Sequence, residues 1–434
     1  MSGPERLRET PSAICDYDAA IVGASLAGCT AAILLARAGA RVALVEQRPD
    51  AAAFKRICSH FIQSSAVPTL ERLGLLGAIE EAGGLRVHAR AWTRWGWIEA
   101  STESCVPRGV NLRRELLDPM IRRKAAETPG VELILGHTAH ALIHDGDDIR
   151  GVEVRERGGR SRRLRARLVV GADGRGSRVA KLAWVATRTI DHGRFFYAAY
   201  FEGPSLVGAP DGSAWFLDPD WAAALPTDNG LTLYAAMPTK KRQDEFRRDP
   251  IPALVSYVAA LPDAPPILAS RMVGRAVAKI DIPNVVHAPT APGLALVGDA
   301  ALATDPLWAV GCGWALQSGE WLADSVARAL LGAEPLQRAL QRYSRRHSRG
   351  LDGHAAMIHD YTTGRKFNAI ERALFSCAAR DERLTLTFTA MATRNITPTR
   401  ALTAALPRVA TLSARESIAR RVGIRSRRTH VENI

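Results

Sequence analysis

A glycine-punctuated segment near the start of the chain carries the first chemical signal. It reads Ile-Val-Gly-Ala-Ser-Leu-Ala-Gly over residues 21–28, between an apolar segment typical of a buried strand and a run of small residues typical of a helix. In the dinucleotide-binding fingerprint, glycines permit a tight turn, close approach of the backbone to a pyrophosphate, and close helix–strand packing. Ser25 replaces the middle glycine here. The segment still predicts dinucleotide binding, because free N–H groups at a helix start attract a pyrophosphate.

An acidic residue closes the next apolar segment, residues 41–46. Glu46 stands where the carboxylate of a dinucleotide fold accepts hydrogen bonds from the adenosine ribose hydroxyls. The predicted strand–helix–strand unit implies a parallel sheet. The residues predicted to hold the adenosine end of the ligand are Gly23, Ser25, Leu26, Ala27, Gly28, Glu46 and Gln47.

Two later motifs each follow an apolar segment. Gly171-Ala172-Asp173-Gly174 comes directly after residues 168–170, and Gly298-Asp299 comes directly after residues 294–297. Either motif alone is equally typical of an Asp-Gly turn at the end of a strand. Their order along the chain, together with the first glycine segment, indicates instead three parts of one cofactor site.

Together these motifs resemble the two-domain flavoprotein monooxygenases of the para-hydroxybenzoate hydroxylase type, a superfamily that includes flavin-dependent halogenases and geranylgeranyl reductases. The resemblance covers residues 17–330. It implies an α/β protein with a Rossmann-like FAD-binding domain, an inserted and mostly antiparallel β-sheet substrate domain, and a helical C-terminal region. It also implies FAD as cofactor, with NADH or NADPH as a transient electron donor.

The resemblance assigns further residues to the flavin. It places Asp173 and Gly174 near both FAD and the nicotinamide, and it places the Gly298-Asp299 carboxylate on the ribityl chain. Arg114, in an R-x-x-L-D helix, and Arg56, after the second strand, are expected near the flavin. The loop before a long helix, predicted over residues 313–331, would face the isoalloxazine ring and stabilise its negative charge when reduced. The loop residues assigned in this way are Pro306, Gly311, Cys312 and Gly313.

Hydroxylation by the flavin is the leading functional prediction. In this superfamily oxygen adds at C4a of the reduced flavin, and the resulting hydroperoxide hydroxylates an organic substrate, here an aromatic or polyketide-like molecule of secondary metabolism. No protein nucleophile is required, and no catalytic side chain or metal ligand is assigned. A halogenase is one alternative, although residues 95–100 match its W-x-W-x-I-P signature only in part. A geranylgeranyl-type reductase and a flavin-binding protein without turnover remain the others.

Aromatic residues on predicted strands are candidates for the substrate cavity. They are equally compatible with an ordinary core, because strand side chains alternate between two faces. Residues 90–98 predict one strand and residues 243–261 one helix. The residues predicted to contact substrate are Trp95, Trp97, Trp215, Phe216 and Tyr234.

The predicted elements divide the chain into three interleaved parts. The FAD-binding domain is expected to be assembled from three segments and the substrate domain from two, before a basic helical region. In chain order the expected segments are 17–90 (FAD), 91–112 (substrate strand), 113–190 (FAD), 191–285 (substrate sheet), 286–332 (FAD) and 333–434 (C-terminal helices).

Composition excludes several classes of protein. The 434 residues are 47% hydrophobic and 24% charged, which is typical of a globular chain and not of a disordered one. No apolar run is long enough to span a bilayer, so stable membrane insertion is not expected. Six scattered cysteines without a CxxC pair predict neither a disulfide framework nor a zinc ribbon and favour the cytoplasm. The net charge of +14 concentrates near an arginine-rich end without a nucleic-acid-binding module, so the expected partners are a small molecule and oxygen, with the oligomeric state open.

Overall fold

The computed structural model describes residues 15–101, 106–156 and 158–421, together with the short strand Leu7–Arg8. It is a mixed α/β structure with two large sheets and a helical C-terminal region. None of the helices in the described part of the chain combines the length and the apolar character needed to cross a bilayer.

A nine-stranded sheet forms the base of the molecule. Its central strands are parallel, and Tyr17–Val22 pairs with Val42–Glu46 on one side and with Ser161–Gly171 on the other. Residues 19–22, 42–45 and 168–170 of these strands are apolar and buried, as expected where helices and loops cover both faces of a sheet. The remaining strands are Leu7–Arg8, Val131–Leu135, His137–Asp145, Asp148–Glu156, Thr290–Ala291 and Leu294–Leu296.

Two helices pack against each other on this sheet and form the main core. We call Leu26–Arg37 the fingerprint helix and Gly311–Leu330 the central helix. Apolar residues of both helices belong to one buried cluster. Helix Arg114–Ala126 packs beside the fingerprint helix and completes this layer.

A seven-stranded sheet lies above the first and is mostly antiparallel. One face packs against the central region and the C-terminal helices, and the other is covered by two short helices, Gln243–Arg248 and Pro250–Ala259. In spatial order its strands are Arg271–Lys279, Phe196–Glu202, Leu231–Met237, Trp221–Pro226, Gly212–Phe216, Ala89–Thr93 and Gly96–Ile98.

The C-terminal region is helical, as predicted. Residues 422–434, the last part of the arginine-rich end, lie outside the described residues. We call the four helices of this region the C-terminal helices. They are Leu336–Tyr361, Ala369–Ala378, Glu382–Ala392 and Pro398–Arg421.

Shorter elements connect these layers. They are two three-stranded sheets and three short helices. These strands are Phe61–Ile62, Leu85–Val87, Gly109–Asn111, Thr187–Ile190, Asn284–His287 and Leu302–Ala303, and the helices are Val67–Leu73, Leu76–Glu81 and Arg178–Leu182.

Three predicted elements differ in the structure. Residues 90–98 form a hairpin, because the chain turns at Arg94-Trp95 and pairs Trp92 with Trp97. The helix predicted over residues 243–261 is broken at Asp249, since Pro250 restricts the residue before it. The long helix begins at Gly311 rather than Gly313.

A buried tyrosine ties a C-terminal helix to the strand that leads into the Gly298-Asp299 motif. The Tyr343 hydroxyl donates to the carbonyl oxygen of Leu296 at 2.6 Å. We expect Tyr343→Phe to lower the free energy of unfolding by about 0.5–1.5 kcal/mol, the usual net value of one hydrogen bond. Tyr257→Phe is a matched control, because the Tyr257 hydroxyl is buried without a partner. Urea denaturation would measure both variants, and equal losses would contradict the role of the Tyr343 hydroxyl.

Candidate functional site

A cavity of about 530 Å³ opens where the central strands of the nine-stranded sheet end. It runs from the glycine segment at the start of the fingerprint helix to the start of the central helix. The predicted cofactor residues that line it are Gly23, Ser25, Leu26, Ala27, Glu46, Gln47, Arg114, Asp173, Gly174, Asp299, Pro306, Gly311 and Cys312.

Two glycines of the fingerprint serve packing rather than ligand contact alone. Gly23 has a φ of +110°, and a Cβ there would lie 2.3 Å from the carbonyl oxygen of Ala172. A Cβ on Gly28 would lie 1.8 Å from the carbonyl oxygen of Gly23, and Gly28 does not line the cavity. Both positions therefore require glycine because backbone meets backbone there.

Ser25 connects the fingerprint to the R-x-x-L-D helix. It precedes the fingerprint helix, and its side chain caps no backbone N–H group. Instead, its hydroxyl oxygen accepts a hydrogen bond from Arg114 at 2.7 Å. Arg114 in turn donates to Asp118 at 2.8 Å from Nε and 2.6 Å from Nη2. The replacement of the middle glycine thus fixes a guanidinium group in the cavity wall.

Glu46 faces the same end of the cavity. Its carboxylate accepts backbone hydrogen bonds from Ala24 and Arg48, each at 3.1 Å. These two bonds leave acceptor capacity on a carboxylate, which has about four lone-pair sites. The geometry therefore allows Glu46 to bind ribose hydroxyls while it supports the glycine turn.

Asp173 has a structural task besides its place in the cavity wall. Its carboxylate accepts hydrogen bonds from the Ser177 hydroxyl at 2.6 Å and from the N–H groups of Arg178 and Val179. These bonds satisfy the start of the helix Arg178–Leu182. Asp173 therefore holds the shape of its loop, and Gly174 beside it adopts a φ of +82°.

An ion pair crosses the middle of the cavity. Lys55 Nζ lies 2.8 Å from Asp299 Oδ2. Burial raises the pKa of Asp299, but Lys55, Arg175 and Arg114 outweigh it and hold the pKa below its usual value. Asp299 is therefore ionised, and an acceptor is ready at the position assigned to the ribityl chain.

Besides Gly28, three predicted cofactor residues do not reach the cavity lining. Arg56 and its neighbour Lys55 are both exposed, but only Lys55 lines the cavity, so the cation from this segment is Lys55. A Cβ on Gly298 would lie 2.9 Å from Ala27 Cβ, so Gly298 allows close packing on the fingerprint helix. Gly313 stands between the lining residues Cys312 and Trp314 but faces Ala66 and Arg394 instead.

The start of the central helix closes the far end of the cavity. Pro306, Ala309, Gly311 and Cys312 all line it, and Ala309 has a left-handed φ of +52°. Asp305 fixes this turn, since its carboxylate accepts the N–H group of Leu307 at 2.6 Å. No side chain caps the start of the helix, so its first N–H groups are available to a ligand.

The donor set fits FAD at both ends. Uncapped starts of the fingerprint and central helices carry free N–H groups and partial positive charge, which suit a pyrophosphate and the pyrimidine edge of a reduced flavin. Glu46 and Asp299 supply the acceptors that the ribose and ribityl hydroxyls need. The residues present are therefore those that an extended flavin dinucleotide requires.

A second cavity, of about 350 Å³, lies between the seven-stranded sheet and the C-terminal helices. Its wall is mostly apolar and includes six aromatic residues. Phe216 contacts Trp308 at a ring-centroid distance of 5.3 Å, and Phe367 contacts Phe375 at 4.7 Å. Exposed Ile370 and Leu402 also line it and mark its mouth. We call it the apolar cavity.

Of the five aromatic residues predicted to contact substrate, the structure brings only Phe216 to the apolar cavity. Trp95 packs near the same face of the sheet but lines neither cavity. Trp97, Trp215 and Tyr234 point to the opposite face, under helix Pro250–Ala259. Strand alternation separates Trp215 from Phe216, and we therefore do not retain these three residues as substrate contacts.

Comparison with known proteins agrees with this geometry. The FAD binding domain family matches residues 16–351. The chain belongs to this family. By family it is an FAD-dependent oxidoreductase. We therefore call the cavity of about 530 Å³ the flavin cavity.

Individual relatives of this FAD-binding protein are distant. It is 23% identical over 353 residues to a digeranylgeranylglycerophospholipid reductase of Methanosarcina acetivorans, covering 78% of this chain and 82% of the relative. It is 27% identical over 362 residues to aklavinone 12-hydroxylase DnrF of Streptomyces peucetius, covering 77% and 72%. Its fold is similar to that of the flavin-dependent brominase Bmp2, with a TM-score of 0.73, 18% identity, and coverage of 87% and 93%.

Sequence reasoning missed several residues of the two cavities. The position of Lys55 could have been suspected from the sequence, because Lys55 stands beside Arg56, which was expected near the flavin. Trp308 follows Pro306 in a loop assigned to the flavin, yet nothing in the sequence shows that its ring faces away from that cavity. The aromatic residues of the C-terminal helices carry no motif.

Removal of the Glu46 carboxylate tests the adenosine end of the FAD-binding site. We expect Glu46→Ala to raise the Kd for FAD by roughly 5- to 150-fold, the equivalent of about 1–3 kcal/mol for lost charge-assisted hydrogen bonds. Fluorescence titration of the apoprotein with FAD measures the change. Glu127→Ala removes an exposed carboxylate away from the cavity and should leave the Kd unchanged. Equal affinities of both variants would refute the role of Glu46.

Asp299 provides a test at the ribityl chain. In a crystal structure with FAD bound, we expect its carboxylate within about 3.2 Å of a ribityl oxygen, since it is ionised and lies in the cavity wall. A carboxylate that stays paired with Lys55 alone, or that turns to bulk solvent, would contradict this assignment.

Proposed function

We propose that the protein is an NAD(P)H-dependent FAD monooxygenase that hydroxylates a bulky, largely apolar aromatic or polyketide-like molecule. One observation carries the proposal. The turn Pro306–Ala309 is shared by both cavities, because Pro306 and Ala309 line the flavin cavity while Trp308 lines the apolar cavity. Only this turn would therefore separate a substrate in the apolar cavity from the flavin.

The lining of the apolar cavity suits a flat aromatic substrate. Rings of Trp308, Phe375 and Phe388 meet at centroid distances of 5.6–6.1 Å, the range of favourable aromatic contacts. A rigid ring system offers such a wall a large contact area and loses little conformational entropy on binding. The similarity to an aklavinone hydroxylase supports the same substrate class.

Bound FAD would supply the oxygen chemistry, with NADH or NADPH as electron donor and molecular oxygen as co-substrate. The protein's own groups would hold and polarise the cofactor. The start of the central helix stabilises negative charge near Gly311, and Asp299 orients the ribityl chain. The apolar wall of Trp308 and Phe216 excludes water from the reacting position.

A reductase that saturates an isoprenoid chain is the second candidate. The similarity to digeranylgeranylglycerophospholipid reductases favours it, and the exposed leucine and isoleucine at the cavity mouth suit a lipid. Halogenation is less favoured. Trp97, the second tryptophan of the partial halogenase signature, donates to Asp263 at 2.9 Å on the outer face of the sheet, away from both cavities.

Turnover with defined substrates separates the candidates. The enzyme with FAD and NAD(P)H would be incubated under oxygen with tricyclic and tetracyclic aromatic polyketides and with geranylgeranyl lipids, with and without chloride or bromide, and products analysed by mass spectrometry. We expect one added oxygen atom on an aromatic substrate, independent of halide. Products that require halide would support a halogenase, and products formed without oxygen would support the reductase.

A pair of exposed leucines tests the location of the substrate. Leu402 is 37% exposed at the mouth of the apolar cavity, whereas Leu331 is 55% exposed at the end of the central helix. We expect Leu402→Asp to raise KM about tenfold, the equivalent of about 1.4 kcal/mol, because a charge at the mouth opposes entry of an apolar substrate. Leu331→Asp should leave KM unchanged. Equal KM values for both variants would contradict the placement.

A further inference from the structure

Two cysteines meet in the wall of the flavin cavity. Cys58 Sγ lies 3.4 Å from Cys312 Sγ, although the residues are far apart in the chain. Cys58 lies in the loop after strand Val42–Glu46, and Cys312 lies in the first turn of the central helix. Both line the cavity. The pair is therefore placed beside the predicted position of the isoalloxazine ring.

The surroundings of this pair favour a thiolate. Arg114 Nη1 lies 3.7 Å from Cys58 Sγ and 3.8 Å from Cys312 Sγ, so one guanidinium group faces both sulfurs. The backbone N–H of His60 donates to Cys58 Sγ at 3.2 Å. The contact with Cys312, together with the cations Arg114 and Lys55, lowers the pKa of Cys58 against the effect of burial. The same contact and burial raise the pKa of Cys312, so Cys58 loses its proton more readily than Cys312 does.

We propose that Cys58 and Cys312 are a redox-active pair that exchanges two electrons with bound FAD by cycling between thiols and a disulfide. This inference rests on the proposed flavin site. The Cys58 thiolate and the Cys312 thiol form one S–S bond, and two electrons and the Cys312 proton pass to oxidised FAD, which becomes reduced FAD. The reverse reaction breaks the S–S bond and returns the electrons and the proton.

The geometry requires only a small movement for this reaction. A disulfide has an S–S distance of about 2.05 Å, so the sulfurs must approach by about 1.4 Å. Cys58 lies in a loop rather than in a strand or helix, whereas Cys312 is held in a helix turn. Reactive cysteines characteristically have such cationic surroundings next to a helix start.

Electron counting tests the proposal. Air-oxidised holoprotein would be titrated anaerobically with dithionite while the flavin absorbance is followed. We expect the wild type to take up about four electrons per FAD, two for the flavin and two for the disulfide, and Cys58→Ser and Cys312→Ser to take up about two. Cys29→Ala removes a buried cysteine of the fingerprint helix that contacts neither sulfur and should retain the wild-type value.

Peptide mapping gives an independent readout. Alkylation of the denatured oxidised holoprotein followed by mass spectrometry should identify a Cys58–Cys312 cross-linked peptide that disappears on reduction. If the wild type binds FAD but takes up only two electrons, the inference is overturned, whether the cysteines are free or form an inert disulfide. The proposed function would remain intact in that case. Purified protein that binds no FAD would instead overturn the proposed function and, with it, this inference.

Discussion

Backbone-to-backbone contact at the end of the central strands is the constraint on which the rest of the structure depends. Gly23 meets Ala172, Gly28 meets Gly23, and Gly319 of the central helix would place a Cβ 2.5 Å from the carbonyl oxygen of Ala27. These contacts bring the fingerprint helix against the sheet and the central helix against the fingerprint helix. Since both helix starts line one cavity, the glycines also determine where two positive helix ends converge.

That convergence explains the charge arrangement of the flavin cavity. Arg114 contacts Ser25, Asp118 and both sulfurs of the cysteine pair, and Lys55 pairs with Asp299. Each cation therefore stabilises an anionic or polar partner contributed by another segment of the chain. Buried charged groups are costly without partners. The stability of the cavity wall therefore depends on the packing of the segments that contribute these partners.

The two faces of the seven-stranded sheet place its aromatic residues in different surroundings. One face packs under the helices near Phe246 and Tyr257 and forms a closed core, whereas the other, with Phe216, meets Trp308 and the C-terminal helices around a cavity. The C-terminal region is therefore part of the wall of the apolar cavity, although most of it lies beyond the matched family domain.

The sequence by itself determined the class of fold, the FAD-binding family and thirteen residues of the flavin-cavity lining, because a dinucleotide site depends on local strand–turn–helix geometry that glycines and a closing carboxylate reveal. Only the tertiary structure decided that Lys55 rather than Arg56 faces the cavity and that Trp215 belongs to the core while Phe216 lines a cavity. It alone decided that Cys58 meets Cys312. These outcomes depend on which face of a loop or strand is covered by a segment far away in the chain, and local periodicity does not carry that information.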